Sequence, residues 1–521
     1  MVSHPQSTVH ALLAACERRP RHPFLLFEGR RLSFADVRDA AARWAALYRR
    51  RGVAKGDRVA LFHSNSPEFV VSYLGAHMAG AIVVLVNTQY RQTELRHILS
   101  DSGARLVVTE ERLLPELERV RADLDPGLQV VDCRSQPEER AGHEGDIDLR
   151  PSDVALIGYT SGTTGRSKGA MLTHGNLMAN SAAVTQAWRW TEDDRLLLTL
   201  PLFHIHGLGV GLHGALVTAS TVDLRRGFDA GEVLETLAAG DTTMFFGVPT
   251  MYSRLIEEAR RRVAAGADRE ALGGRVRLFV SGSAALSPQI FAAFEELFGQ
   301  RILERYGMTE TVMNLTNPYD GERRPGTVGM PFPGQEARVV DVRTRRPLPD
   351  GETGEIQVRG PHVFAGYWNN PQATAEAFDP EGWFNTGDLG FRSPDGYFTI
   401  SGRARELIIS GGYNIYPREV EEVLLAHPQV AEAAVLGLPD AEYGECVVAA
   451  IVPAADFRER VAGLGEEERR SAIAELQSAV VEWCRAQLAS YKKPRRVVLV
   501  DSLPRNALGK VQKHLLRERL T

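Results

Sequence analysis

Apolar residues recur along the chain in two rhythms. Short runs rich in branched residues, such as "VALIGYT", "RVRLFVSG", "AAVLGLP" and "CVVAAIVPA", predict strands. Between such runs lie segments with apolar positions three and four residues apart. After "RVRLFVSG", Ser287 and Pro288 supply an N-cap and a first-turn proline. The helix that follows places Ile290, Phe291, Phe294, Leu297 and Phe298 on one face, and Gly299 ends it. The run "VALIGYT", a glycine-rich loop and a helix starting near His174 repeat that layout. Strands alternating with helices predict an α/β fold with mostly parallel sheets, whose ligands sit on loops beyond the strand ends. The stretch from Phe69 to Val86 is apolar enough to suggest a membrane span. It contains His77 and changes character at Gly80, so it predicts a buried helix followed by the strand "AIVVLV".

Past about residue 400 the texture changes. "SGRARELIISGGYNIYPREVEEVLLAHP" reads as an arginine-rich turn, a short strand, a Gly-Gly loop and a proline-started helix. A long charged helix follows near 466–489. This predicts a small α+β domain after a large N-terminal one, with residues 1–404 and 405–521 as the two parts. The chain of 521 residues is too long for one core, which agrees. "EERAGHEGD", near 138–146, predicts a surface loop.

Composition narrows the classes. Apolar residues make up 44% and charged residues 24%, as in a soluble enzyme. A net charge of −5 argues against nucleic-acid binding, so any anionic ligand needs a local cluster of positive groups. Cys16, Cys133, Cys446 and Cys484 are far apart and form no CxxC pair, which argues against a metal or disulfide framework and fits a reducing cytoplasm. The N-terminal residues lack a signal-peptide pattern, and a cytoplasmic protein with no integral membrane segment is expected. Oligomeric state is not legible.

Candidate chemistry begins at "IGYTSGTTGRSKGAML", Ile157 to Leu172. It is not a P-loop, because Lys168 is followed by Gly169 rather than by Ser or Thr. Glycine-freed amides, hydroxyls and Lys168 still make an anion-binding concavity suited to a polyphosphate. In "LERYGMTET", Glu310 would repel such a ligand unless it held Mg²⁺. "WFNTGDLG" puts Asp388 in a glycine-flanked turn, where its oxygens can take both hydroxyls of a ribose. "ISGRARELI" offers Arg403 and Arg405 at the domain boundary, "PLFHIHGLG" places His204 and His206 on one side of an extended segment, and "LPRNALGK" carries Lys510 on a loop near the end.

Taken in order, "YTSGTTGRSKG", "YGMTET", "TGDLG", "GRARELI", "GGYNIYPREVE" and "PRNALGK" resemble the core motifs of the adenylate-forming superfamily, which includes acyl-CoA synthetases, adenylation domains of peptide synthetases and firefly luciferase. The resemblance covers nearly the whole chain. It implies a large N-terminal domain, a small mobile C-terminal domain, and the co-substrates ATP, as Mg·ATP, and coenzyme A. A carboxylate attacks the α-phosphate to give acyl-AMP and pyrophosphate, and a thiol then attacks the acyl-AMP. By the same resemblance Thr160, Ser161, Gly162, Thr163, Thr164 and Lys168 hold the β- and γ-phosphates. Glu310 binds Mg²⁺, and Thr309 lies near the α-phosphate. Tyr306 stacks on adenine beside the backbone of Ser283, Ala284 and Ala285, with Glu304, Arg305 and Gly307 in the same nucleotide-binding stretch. Asp388 and Arg403 grip the ribose. Lys510 bridges the reacting carboxylate and the α-phosphate. Arg405 occupies the hinge position, where Asp or Lys is more usual, and Gly411, Gly412 and His204 line the pantetheine tunnel.

Within the superfamily, "PLFHIHGL", "FGVPTMYSRL", "VSGSAAL" and "ERYGMTETVMN" resemble malonyl-CoA synthetases most. That resemblance implies that His206, Arg254 and Ser283 hold the second carboxylate of malonate or methylmalonate, with Arg254 as a buried cation. The competing expectations are a ligase for medium-chain, aromatic or oxalic acid, a luciferase-type oxygenase, and a nucleotide sensor with an idle Lys510.

Overall fold

The branched-residue runs become the strands they predict, and in the two large sheets the pairing is mostly parallel. In one sheet the neighbours run Leu303–Tyr306, Leu278–Ser281, Met244–Gly247, Arg195–Leu198, Thr221–Leu224 and Pro23–Phe27, all parallel, with antiparallel edges. In a second sheet Val154–Thr160, Ile82–Leu85, Arg58–Phe62, Leu106–Thr109 and Gln129–Asp132 are parallel. The sheets have nine and seven strands among the described residues. The computed structural model describes residues 5–135, 148–160, 167–269, 272–410, 413–440, 443–506 and 509–520.

The helix Pro288–Phe298 forms as expected. Ser287 accepts from the Ile290 amide, and Gly299 closes the helix at φ 65°. Phe291, Phe294, Leu297 and Phe298 are buried, and Ile290 packs at the edge of the same cluster. The Phe294 ring lies 4.9 Å from Phe279 on the sheet and 4.2 Å from Phe298. Phe294→Ala is expected to cost about 3–5 kcal/mol. The stretch after Phe69 is the buried helix Pro67–Met78 followed by the strand Ile82–Leu85. Among the described residues no helix is long and apolar enough to cross a membrane.

The chain divides into two compact units, Met1–Ala337 with Val358–Asn385, and Arg338–Gln357 with Thr386–Thr521. The second unit holds the antiparallel pairing of residues 388–392 with Phe398–Arg403, and a further sheet built on Val430–Asp440 and Gly444–Pro453. Its long helix, Glu466–Gln487, matches the charged segment. Compactness thus divides the chain before residue 404. The 404/405 boundary is a proposal about where the chain pivots.

Two local expectations are corrected. The strand Val154–Thr160 is followed by a second strand, Lys168–Thr173, antiparallel to it, and only then by the helix His174–Ala187. "KGAMLT" pairs back along Val154–Thr160, from Thr160 opposite Lys168 to Val154 opposite Thr173, so a strand intervenes before the helix that starts, as expected, at His174. His206 does not sit in an extended segment. It begins the π-helical stretch His206–Leu212, whose glycines allow close packing: a Cβ at Gly207 would lie 2.4 Å from the Pro201 carbonyl oxygen.

Candidate active site

Thr160, Lys168, Thr309 and Glu310 come together at the mouth of the hairpin. Thr160 stands opposite Lys168 in the strand register. The Thr160 hydroxyl donates to Glu310 Oε1 at 3.2 Å, and the Tyr367 hydroxyl donates to the same oxygen at 3.1 Å. The Lys168 ammonium lies 5.2 Å from the Tyr367 ring centroid, within cation–π range. Gly158 has no room for a side chain, since a Cβ there would meet the Thr309 methyl at 2.6 Å. His97 donates from Nε2 to the Ser167 carbonyl at 2.7 Å and pins the return of the hairpin. Neither Tyr367 nor His97 belongs to a recognisable motif. Ser161, Gly162, Thr163 and Thr164 lie outside the described residues.

The "YGMTET" turn is shaped by one steric demand. Val312 adopts φ 59°, a conformation rare for a branched residue, and its carbonyl lies 2.0 Å from where a Cβ of Gly307 would sit. Tyr306 and Thr309 remain partly accessible, whereas Glu310 is buried. A lone carboxylate beside hydroxyl oxygens and a basic residue suits a hard cation that keeps most of its waters and binds through phosphate, as Mg²⁺ does. Among the described residues no cluster of three His, Cys, Asp or Glu could hold a metal by itself.

The second cluster lies around His206. Ser283, at φ 67°, holds its hydroxyl 3.3 Å from His206 Nδ1. The His206 amide donates to His204 Nδ1 at 3.2 Å. Burial, with the neighbouring charge of Arg305, pushes His204 down to about 4 and His206 well below the usual imidazole range, so both are neutral. His206 Nε2 is buried with no hydrogen-bond partner among the described residues.

Arg305 is the unexpected member. The strand Leu303–Tyr306 alternates its side chains. Glu304 accepts the Leu286 amide at 2.9 Å and so braces the Ser283–Ala285 turn. Arg305 is 3% exposed, and its Nε and Nη2 reach no partner among the described residues. Burial holds it down to about 9, and its charge acts on His204, His206 and Tyr252. The guanidinium lies flat against Gly282, where a Cβ would come within 2.3 Å of Cζ. Its charge is thus felt by the histidine cluster, a role the sequence reading did not give it. Arg254 differs from expectation in the opposite sense. It is exposed on the helix Pro249–Ala264 and lines an open groove with Asp229, Glu257, Glu258 and Arg261, because the buried face of that helix is taken by Tyr252, Leu255, Ile256 and Ala259.

In the second unit Asp388 lies within the strand Phe384–Arg392 and not in a turn. Only Gly387, at φ 69°, keeps a turn-like conformation. Asp388 faces Arg403 across the hairpin, Nε to Oδ1 at 2.6 Å. The backbone of Arg405 belongs to the 3₁₀ turn Ala404–Glu406. Lys510 follows a loop closed by its own amide, which donates to Asn506 Oδ1 at 3.0 Å. Gly411 and Gly412 lie outside the described residues.

These features can be set beside known proteins. The family model described as AMP-binding enzyme matches residues 12–368, and that of the AMP-binding enzyme C-terminal domain matches 419–510. The chain is 38% identical to the sulfoacetate–CoA ligase of Cupriavidus necator over 518 residues, 97% of this chain and 96% of that one. It is 36% identical to the malonate–CoA ligase of Arabidopsis thaliana over 492 residues, 90% of this chain and 79% of that one. The ATP-bound crystal structure of MatB from Rhodopseudomonas palustris superposes with a TM-score of 0.89 at 37% identity, covering 99% of both chains. The chain belongs to the AMP-binding enzyme family.

Proposed function

We propose that the acid taken by this ATP-dependent acid–CoA ligase is a short dianion, malonate foremost, with methylmalonate as a close second. The observation that carries the reading is Arg305. A buried guanidinium with two unpartnered N–H groups is costly and calls for an anion. Malonate retains one carboxylate after the other has reacted, and the planar fork of arginine matches it. His206 and Ser283 supply further hydrogen bonds to the same group. Arg254, exposed on its helix, does not carry this reading.

In the adenylation half, the reacting carboxylate attacks the α-phosphate of ATP, forming the acyl–phosphate bond and releasing pyrophosphate. Lys168 and Thr160 orient the phosphates, and Thr309 stands near the α-phosphate. Glu310 would hold Mg²⁺, which neutralises phosphate charge when bound. Lys510 supplies positive charge where the two anions meet. In the second half the thiol of coenzyme A attacks the acyl carbonyl, giving the thioester and AMP. Catalysis is positioning and charge stabilisation, with no protein nucleophile.

A sulfonate is the second reading, favoured by the 38% identity to a sulfoacetate–CoA ligase. A panel of malonate, methylmalonate, sulfoacetate, oxalate, octanoate and benzoate, read as CoA-dependent AMP release, tests both. Preference for octanoate or benzoate sinks the dianion reading, and sulfoacetate outrunning malonate replaces carboxylate with sulfonate.

A further inference from the structure

The helix Lys513–Leu520 starts three residues after Lys510, and its first side chain turns inward. The Lys513 ammonium lies 2.6 Å from Glu421 and 3.3 Å from Glu406, with the lysine side chain 17% exposed. Glu421 sits on the helix Pro417–Leu425 and also accepts the Val435 amide at 2.8 Å. Glu406 closes the turn Ala404–Glu406, which follows Arg403 directly. One partly buried ammonium thus gathers the 404–406 turn, a core helix and the stem of the Lys510 loop. Burial alone would lower its pKa, but the two carboxylates more than offset that and hold Lys513 above the ordinary lysine range.

The described residues on either side of the loop are tied to each other. Asn506 N donates to the Lys510 carbonyl at 2.9 Å, and Gln512 N donates to the Pro504 carbonyl at 2.8 Å. Arg505 Nη1 donates to the Gly509 carbonyl at 2.6 Å. These bonds couple the position of Lys510 to the stem of the loop. The downstream stem is Val511 to Lys513.

We propose that Lys513 is a positioning residue for adenylation: it locks the stem of the Lys510 loop to the 404–406 turn, so that Lys510 is delivered at a fixed distance and angle from the hinge. The proposal rests on the reading of Lys510 as the adenylation lysine. Glu421 and Glu406 are the acidic partners that make the lock, and neither is on the helix that carries Lys513.

The test measures the two half-reactions apart, pyrophosphate release with acid and ATP alone, and thioester formation from supplied acyl-AMP and CoA. Lys513→Met is expected to lower the adenylation rate about 10–100-fold, the scale of a small misplacement, with KM for ATP within about twofold and thioester formation within about threefold. Lys513→Arg, which keeps the charge, is expected to restore adenylation to within about threefold of the wild type. Equal loss in both halves means that Lys513 only holds the domain together, and unchanged adenylation means that it positions nothing; either overturns the proposal. Lys510→Ala runs alongside, and if it leaves adenylation intact the reading of Lys510 falls instead. Should Lys513→Met fail to fold, Glu421→Gln keeps an acceptor for the Val435 amide while removing the charge, and it is held to the same selective loss, about 3–10-fold.

Discussion

Arg403 and Asp388 clasp each other across a two-stranded hairpin, with the Asp388 side chain only 4% exposed and the Arg403 side chain 28% exposed. The pair fixes the direction in which a buried carboxylate presents its oxygens. Arg403→Gln is therefore expected to raise KM for ATP about tenfold or more while leaving KM for the acid within about twofold, because an aspartate that has lost its charged partner no longer holds its orientation. Steady-state kinetics with each substrate varied checks this, and a change confined to the acid would contradict it.

Arg305 and Arg254 are separated by one comparison. Arg305→Gln is expected to lower kcat/KM for malonate by about two to four decades, the equivalent of about 3–5 kcal/mol for one partner of a buried ionic contact. Butyrate, which lacks the second charge, should be turned over as well as before or better. Arg254→Ala should lose less than Arg305→Gln on malonate. A larger loss for Arg254→Ala would return the cation role to the exposed helix.

Arg405→Pro probes the proposed pivot. Proline fixes φ and removes an amide donor within the 3₁₀ turn Ala404–Glu406. Thioester formation should fall more than acyl-AMP formation. Equal losses would place the pivot elsewhere.

A buried group of histidines sets an acid limit to stability. Thr8 hydrogen-bonds His77 Nδ1 at 2.6 Å, Tyr73 meets His213 Nε2 at 2.8 Å, and the His77 and His174 rings lie 4.7 Å apart. Burial pushes His174 and His213 down to about 3 and His77 well below its usual value. Their unfolded values are near 6.5, so below that pH the unfolded chain binds more protons than the folded one. Stability is full above about pH 6.5 and falls as the pH drops toward 3. Urea unfolding at pH 7.5, 6.0 and 5.0 should show the midpoint falling steadily, and a flat midpoint over that range would be inconsistent with neutral buried imidazoles.

Much of the fold is legible in the sequence because its signals are local. The caps and apolar face of Pro288–Phe298 and the buried Pro67–Met78 helix need no distant partner to be read. The strand Lys168–Thr173 is not legible, since the glycine-rich loop before it draws the eye to a helix start and its strand character comes from pairing with Val154–Thr160. The π-helical His206–Leu212 is hidden for a similar reason: its three glycines read as looseness, whereas they are sites of close packing. Arg305 carries a signal of a different kind. A charged residue in the middle of a short strand whose neighbours are buried must either find a partner or wait for one.

The contact between Arg305 and Gly282 has a consequence for how this site can change. A methyl group at 282 has no space while the guanidinium lies against it, yet the same methyl would be tolerated once residue 305 is shortened. Gly282→Ala should therefore be damaging alone and far less so on an Arg305→Ala background, so the two substitutions are strongly order-dependent. A lineage giving up this buried cation would have to surrender the arginine first and could then fill the vacated floor, and the return path would be blocked by the very residue that filled it.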